Sequence, residues 1–122
     1  MADPRSATLR GRTILIVEDE YYLAHDMVRE FERDGAAILG PVSNVEDALD
    51  LLEAAASLDG AVLDINLQGE MVYPVAEALR ARSVPFVFAT GYNENHIVPE
   101  YRRTTCCQKP IDPGSVARAL FC

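Results

Sequence analysis

Cysteine is scarce in this chain of 122 residues, with three residues in all. An odd number of cysteines does not close into a disulfide framework. Cys106 and Cys107 are adjacent, so they do not bond easily to each other, and they lack the Cys-x-x-Cys spacing typical of zinc sites. One or both are expected to be small buried strand residues. These features predict a reduced, cytoplasmic protein.

Long apolar runs and clusters of basic residues are also missing. No apolar run approaches the roughly 18 residues that span a membrane. The segment from Met1 to Arg12 is polar without an apolar centre, which excludes a signal-peptide pattern. The formal net charge is −8, and the 11 basic residues are dispersed, which argues against nucleic acid as a direct partner. The sequence therefore predicts contact with neither a membrane nor a nucleic acid.

The chain has the usual length of one domain, and its 49% content of hydrophobic residues suffices for a core. Residues 1–11 are polar and are expected to form a disordered tail, which leaves residues 12–122 for the domain. Apolar strand-like runs then alternate with helical patterns. The predicted strands are Thr13–Val17, Ala36–Leu39, Ala61–Asp64, Pro85–Ala89 and Thr104–Cys107. The predicted helices are Glu20–Asp34, a helix capped by Ser43 that continues to Ala56, Pro74–Ser83, Asn93–Glu100 and Pro113–Phe121.

Alternation of five strands and five helical stretches predicts a doubly wound α/β fold with a parallel sheet. Ligands of such folds bind beyond the carboxyl ends of the strands. The sequence places polar residues at these ends, after apolar runs: Glu18-Asp19, Asp64, Thr90 and Lys109. We therefore expect them to share one crevice.

Three carboxylates and one ammonium in a single crevice have a definite chemistry. Carboxylates packed together repel one another, and one of them normally takes up a proton. A divalent cation with oxygen ligands removes that conflict. The set Glu18, Asp19, Asp64 and Lys109 therefore predicts a site for metal-assisted chemistry on an anion.

These residues, in this order, resemble the receiver domain of two-component response regulators. The similarity extends from about Arg12 to the C-terminus and rests on Glu18-Asp19, Asp64, Thr90 and Lys109-Pro110, each after an apolar strand. It implies a flavodoxin-like (βα)5 fold with strand order 2-1-3-4-5. It also implies a signalling domain that assists only its own phosphorylation and dephosphorylation, rather than an enzyme.

The resemblance assigns a role to each site residue. Asp64 would be the phosphoacceptor, and Glu18, Asp19, Asp64 and the backbone carbonyl of Asn66 would hold Mg²⁺. Thr90 and Lys109 would contact the phosphoryl oxygens. The donor would be a histidine kinase or a histidine phosphotransfer protein, and phosphorylation would alter binding to a downstream protein. Because no output domain follows residue 122, the chain is expected to act as a stand-alone receiver.

Two departures refine this resemblance. Most receivers carry an aromatic residue three positions before the strand-five lysine, where Cys106 stands here. The run Phe88-Ala89-Thr90-Gly91-Tyr92 is similar to the Phe-Ala-Thr-Gly-x-Tyr motif of an alphaproteobacterial receiver subgroup, except that Asn93 replaces its final tyrosine. That subgroup also lacks the aromatic switch, and it implies a kinase of the HWE type.

Two alternatives remain open on the sequence. A Mg²⁺-dependent phosphohydrolase could use Asp64 as its nucleophile, but such enzymes usually carry an acid/base aspartate two residues later, where Asn66 stands. A degenerate receiver could bind a partner constitutively. Intact Asp64 and Lys109 argue against this second alternative, whereas the missing aromatic residue leaves it open.

Overall fold

A single parallel sheet forms the centre of the protein, in a computed structural model that describes residues 7–91 and 97–122. Its strands are β1 (Thr13–Val17), β2 (Ala37–Val42), β3 (Gly60–Asp64), β4 (Phe86–Thr90) and β5 (Cys106–Gln108). They lie in the order β2-β1-β3-β4-β5, and all neighbouring pairs are parallel. The predicted flavodoxin-like sheet with strand order 2-1-3-4-5 is confirmed.

The described ranges contain four α-helices beside this sheet: α1 (Tyr21–Arg33), α2 (Val45–Ala54), α3 (Tyr73–Ala81) and α4 (Pro113–Phe121). A short antiparallel hairpin pairs Asn66–Leu67 with Glu70–Met71 after β3. None of the helices in these ranges is long and apolar enough to cross a membrane.

Side chains at the helix starts explain where three of the helices begin. The carboxylate of Glu20 accepts hydrogen bonds from the amides of Tyr22 and Leu23, which begins α1. Asp112 caps α4 in the same way, as predicted. The cap predicted at Ser43 is wrong by one residue. Asn44 has the extended backbone of a cap and accepts a 2.8 Å hydrogen bond from the amide of Asp47.

The helix predicted over Asn93–Glu100 falls partly on residues 92–96, which lie outside the described residues. In the remainder, Ile97 and Val98 are not helical, and Pro99–Tyr101 forms one 3₁₀ turn. Val98 has an extended backbone (φ −60°, ψ 150°) because the proline ring that follows disfavours the helical region at the preceding residue. The prediction is therefore wrong for residues 97–98.

The core has two layers, one on each face of the sheet. Successive strand residues point to opposite faces, so Leu15 and Val17 pack with α2 and α3, while Ile14 and Ile16 pack with α1 and α4. All residues of β3 are buried, as expected for a central strand covered on both sides. This double cover leaves the carboxyl ends of the strands as the place where polar groups converge.

The disordered tail predicted over residues 1–11 does not describe residues 7–11. Leu9 is fully buried beside Phe31 and Ile14. Its amide donates a 2.7 Å hydrogen bond to the Asp34 carboxylate, and the amide of Gly11 donates to the carbonyl of Gly35. Burial of one leucine and these hydrogen bonds offset the entropy cost of ordering the segment. Residues 1–6 lie outside the described residues.

Candidate functional site

The carboxylates of Glu18, Asp19 and Asp64 converge at the carboxyl edge of the sheet. Glu18 follows β1 directly, and Asp64 is the last residue of β3, which pairs with β1. One oxygen from each of the three side chains lies within 4.8 Å of the others. Only 3% of Glu18 and 5% of Asp64 is exposed, so two of these acidic groups are almost fully withdrawn from water.

Lys109 supplies the positive charge of this cluster. Its Nζ atom lies 3.0 Å from Asp64 Oδ2 and 3.0 Å from Glu18 Oε1. The residue follows β5, two strands away from β3, and its backbone amide is held by the carbonyl of Thr90 at 2.9 Å. The long side chain therefore spans β4 to reach the acidic cluster, and the predicted meeting of Glu18, Asp64 and Lys109 occurs.

Glu18 has one incompletely satisfied oxygen. Its Oε2 atom accepts a 3.1 Å hydrogen bond from the amide of Glu20. Its Oε1 atom is close enough to Lys109 for an ion pair, but it has no well-directed hydrogen bond from any described residue. A buried carboxylate oxygen without a directed hydrogen bond is costly, so the ion pair with Lys109 is what compensates its charge among the described residues.

Burial and like charge shift the pKa values of the cluster. Burial raises the pKa of Asp64, and the adjacent Glu18 carboxylate raises it further against the opposing effect of Lys109. Burial and the neighbouring Asp64 raise the pKa of Asp19. Burial lowers the pKa of Lys109, but Glu18 and Asp64 more than offset this and leave it above its usual value. Asp64 and Asp19 therefore hold a proton more readily than exposed aspartates do, because their pKa values are raised.

Oxygen-rich sites of this kind fit Mg²⁺. The ion prefers hard oxygen ligands, uses few carboxylates and keeps several waters. Three acidic oxygens in one crevice match that preference. The single positive charge of Lys109 cannot neutralise the negative charges of three carboxylates. The residues present therefore could hold a divalent cation.

Asn66 and Thr90 border the acidic cluster. The amide of Asn66 donates a 3.2 Å hydrogen bond to Asp64 Oδ1, and its side-chain oxygen accepts a 2.6 Å hydrogen bond from Gly69. Thr90 ends β4, one residue beyond the partner of Asp64 in the register. Its hydroxyl makes no hydrogen bond to another residue in the ranges 7–91 and 97–122.

Tyr73, Phe88 and Tyr101 form an aromatic cluster that the sequence did not predict. Tyr101 is buried, stacks on Tyr73 with ring centroids 5.3 Å apart, and packs edge-on against Phe88. The Tyr73 hydroxyl accepts a 3.3 Å hydrogen bond from the amide of Val98. Helical periodicity could not reveal this cluster because Tyr101 lies in a 3₁₀ turn. The sequence signal for this cluster was the position of Tyr101 two residues after Pro99.

The two adjacent cysteines have different environments. Cys107 is buried, as predicted for at least one of the pair, and burial raises the pKa of its thiol. Cys106 is exposed at the start of β5, which is an edge strand of the sheet. The position where most receivers carry an aromatic ring thus presents a small thiol to solvent.

The stability of the cluster should depend on pH. The pKa of Asp64 is raised above 3.8, so the stability that this carboxyl contributes is present below pH 3.8 and is lost as the pH rises through the raised pKa. Asp64→Asn should remove this loss of stability at higher pH. In EDTA at pH 7 the free energy of unfolding should increase by roughly 0.5–2 kcal/mol, with a smaller gain for Asp19→Asn.

Denaturant unfolding across the pH range would measure this. The advantage of Asp64→Asn should shrink as the pH falls toward 3.8. Asp50→Asn, an exposed site on α2, removes the same charge without touching the cluster and should change stability little at any pH. A loss of stability in Asp64→Asn at pH 7 would mean that the ion pair with Lys109 outweighs the repulsion.

Solved structures with the same architecture include proteins with related sequences. SdrG from Sphingomonas melonis Fr1 is 42% identical, with a TM-score of 0.78 over 89% of this chain and 92% of SdrG. The BeF3-activated conformation of SdrG from Pseudomonas melonis Fr1 is 40% identical, with a TM-score of 0.70 over 87% of each chain. No model of a protein family matches this chain, and no curated protein matches it.

A response regulator receiver protein from Sinorhizobium medicae WSM419 is also similar. It is 26% identical, with a TM-score of 0.71 over 93% of this chain and 94% of that protein. The order of the strands and the two covered faces of the sheet agree with these similarities. From the identity to SdrG over nearly the full length of both proteins, together with this shared architecture, the chain belongs to the receiver domains of response regulators.

Proposed function

We propose that this receiver accepts a phosphoryl group on Asp64 in a Mg²⁺-dependent reaction and then changes its binding to a partner protein. The observation that carries the proposal is the geometry of Asp64, a buried carboxylate with Lys109 Nζ at 3.0 Å and two further acids beside it. An aspartate is a weak nucleophile in water, but a positioned carboxylate can form an acyl phosphate.

The transfer would proceed from a phosphohistidine of a histidine kinase or a histidine phosphotransfer protein. A carboxylate oxygen of Asp64 forms the new P–O bond while the P–N bond to the imidazole breaks, and the released imidazole takes a proton from solvent. The phosphoryl group spreads negative charge over its oxygens, and the Lys109 ammonium stabilises that charge. Thr90 would donate a hydrogen bond from its hydroxyl to one of these oxygens.

Mg²⁺, when bound, would supply electrostatic stabilisation of the phosphoryl charge. Glu18, Asp19 and Asp64 would hold it through carboxylate oxygens, with the backbone carbonyl of Asn66 as a further ligand. Glu18 and Asp64 are fixed in place by burial, whereas Asp19 is more exposed. The metal would also relieve the repulsion that raises the pKa of Asp64 and Asp19.

The phosphohydrolase alternative lacks its proton donor. The Asn66 amide cannot act as a general acid or base, and its side-chain oxygen already accepts a hydrogen bond from Gly69. We therefore propose a phosphoacceptor that assists only its own phosphorylation and dephosphorylation. The degenerate-receiver alternative is disfavoured because Lys109 lies within ion-pair distance of the acceptor carboxylate.

A second part of the proposal concerns the type of kinase that donates the phosphoryl group. SdrG, a relative at 40% identity, adopts an activated conformation with BeF3, a phosphoryl mimic. The partial Phe-Ala-Thr-Gly-x-Tyr motif favours a kinase of the HWE type. Phe88 to Gly91 of that motif is described, whereas Tyr92 and Asn93 lie outside the described residues. Activation without an aromatic ring at position 106 stays a prediction.

Metal dependence tests the proposed function. With acetyl phosphate and Mg²⁺, intact-mass measurement should show one added phosphoryl group, and EDTA should prevent it. Mg²⁺ should also raise the melting temperature of the parent through mass action. Asp19→Asn should abolish that rise, whereas Asp50→Asn, which removes an equal charge from an exposed site, should retain it. Equal phosphorylation in EDTA, or an unchanged response in Asp19→Asn, would refute metal binding at this cluster.

A further inference from the structure

A groove of about 1000 Å³ lies at the amino-terminal end of β4 and β5. The end of α3, the segment 99–105 and the end of α4 form its walls. Asp64 and Lys109 lie at the opposite, carboxyl-terminal end of the same sheet. A molecule in this groove would therefore leave the acidic cluster open to a phosphoryl donor.

Three arginines surround the groove: Arg80, Arg102 and Arg103. All three are exposed, and none forms an ion pair with a residue in the ranges 7–91 and 97–122. Glu100 is the acidic residue of the lining. Because the whole chain carries a formal charge of −8, this concentration of guanidinium groups stands apart from the rest of the protein.

The floor of the groove is apolar. Phe86 and Leu120 are half-buried in its lining, and Val84 is buried there. One arginine is also restrained, since the Arg80 guanidinium lies 5.2 Å from the centroid of the buried Tyr101 ring. Such stacking reduces the rotamer freedom that Arg80 would lose on binding. The groove thus combines apolar contact area with a restrained positive rim.

We propose that this arginine-rimmed groove binds an acidic segment of a partner protein that also carries apolar side chains. Guanidinium groups pair with carboxylates in bidentate geometry, and the apolar floor takes side chains between them. A nucleic acid would need more cations than three on a chain of this net charge. A second copy would bring its own charge of −8 and would make a heterologous contact that does not close.

Titration of the isotopically labelled full chain by NMR tests the proposal. The probe is a synthetic peptide of Leu-Glu-Glu repeats, with a Leu-Lys-Lys peptide of equal length as its counterpart. The acidic peptide should cause saturable amide shifts in residues 80–86, 99–105 and 119–120, and the basic peptide should not. Raising the salt concentration should weaken binding, since the contacts are exposed ion pairs.

Two triple variants with equal net charge separate local from general electrostatics. The groove variant is Arg80→Gln, Arg102→Gln, Arg103→Gln, and the control is Arg10→Gln, Arg29→Gln, Arg33→Gln, all at exposed positions. The groove variant should bind the acidic peptide about tenfold more weakly, as three lost surface ion pairs imply, and the control within about twofold of the parent. Single Arg103→Gln should show a smaller loss in the same direction.

Several outcomes would overturn the proposal. These are shifts centred on another face, equal weakening in both triple variants, or no saturable shift in the groove. Matching shifts with inorganic pyrophosphate would assign the groove to a small anion, and displacement by an RNA oligonucleotide would assign it to nucleic acid. Groove shifts that depend on protein concentration without peptide would indicate a second copy. Running the titration on Asp64→Asn separates failure here from failure of the proposed phosphotransfer.

Discussion

Asp64→Asn is expected to abolish phosphorylation completely. An amide lacks the anionic oxygen that forms the acyl phosphate. Glu18 already accepts a hydrogen bond from the amide of Glu20, and no salt bridge joins Asp19 to Lys109 among the described residues. With acetyl phosphate and Mg²⁺, the variant should show no added phosphoryl group by intact mass.

The same substitution should leave the fold intact, which makes the result interpretable. Asparagine has nearly the same shape as aspartate, and removal of one charge should stabilise the cluster in EDTA. Asp50→Asn on the exposed face of α2 serves as the control and should be phosphorylated like the parent. Borohydride reduction of the phosphorylated parent should label the peptide that contains Asp64. A phosphoryl adduct of unchanged yield in Asp64→Asn would refute the assignment.

Lys109→Met is expected to cause the largest loss of stability among single changes at the site. The methionine keeps the apolar stem and removes the ammonium that lies 3.0 Å from both Glu18 and Asp64. Removing one partner of a buried ion pair leaves an uncompensated charge in a poorly solvated position. We expect a loss of about 3 kcal/mol in the free energy of unfolding, measured by denaturant in EDTA at pH 7.

An exposed pair provides the matched control. Arg118 lies 3.9 Å from Asp112 on the surface of α4, and Arg118→Met should cost less than about 1 kcal/mol. Adding Glu18→Gln to Lys109→Met should restore much of the lost stability, because the stranded carboxylate is then neutral. If Lys109→Met costs no more than Arg118→Met, solvent rather than Lys109 compensates the buried acids, and the electrostatic account of the cluster fails.

Much of the architecture could be predicted from local patterns. Apolar runs of about five residues separated by amphipathic stretches indicated the five strands, and crossover lengths indicated parallel pairing. Residues at the ends of those runs then had to meet at one edge, which placed Glu18, Asp64 and Lys109 together. The predictions were wrong at Ser43, at residues 97–98 and at Leu9. At these positions the backbone conformation depends on a neighbouring residue or on tertiary contacts.

The sequence by itself determined which strands end in polar residues and the order of those residues along the chain. The spacing of apolar residues and the position of a carboxylate after them are local properties of the sequence, so they do not depend on the fold. Tertiary structure decided what no local pattern contains. It left one Glu18 oxygen without a hydrogen bond from the described residues, placed Lys109 3.0 Å from two acids, and packed Tyr101 against Phe88. It also brought Arg80 beside Arg102 and Arg103 at the far end of the sheet. Such contacts join residues distant in sequence, so they exist only once β3, β4 and β5 lie side by side.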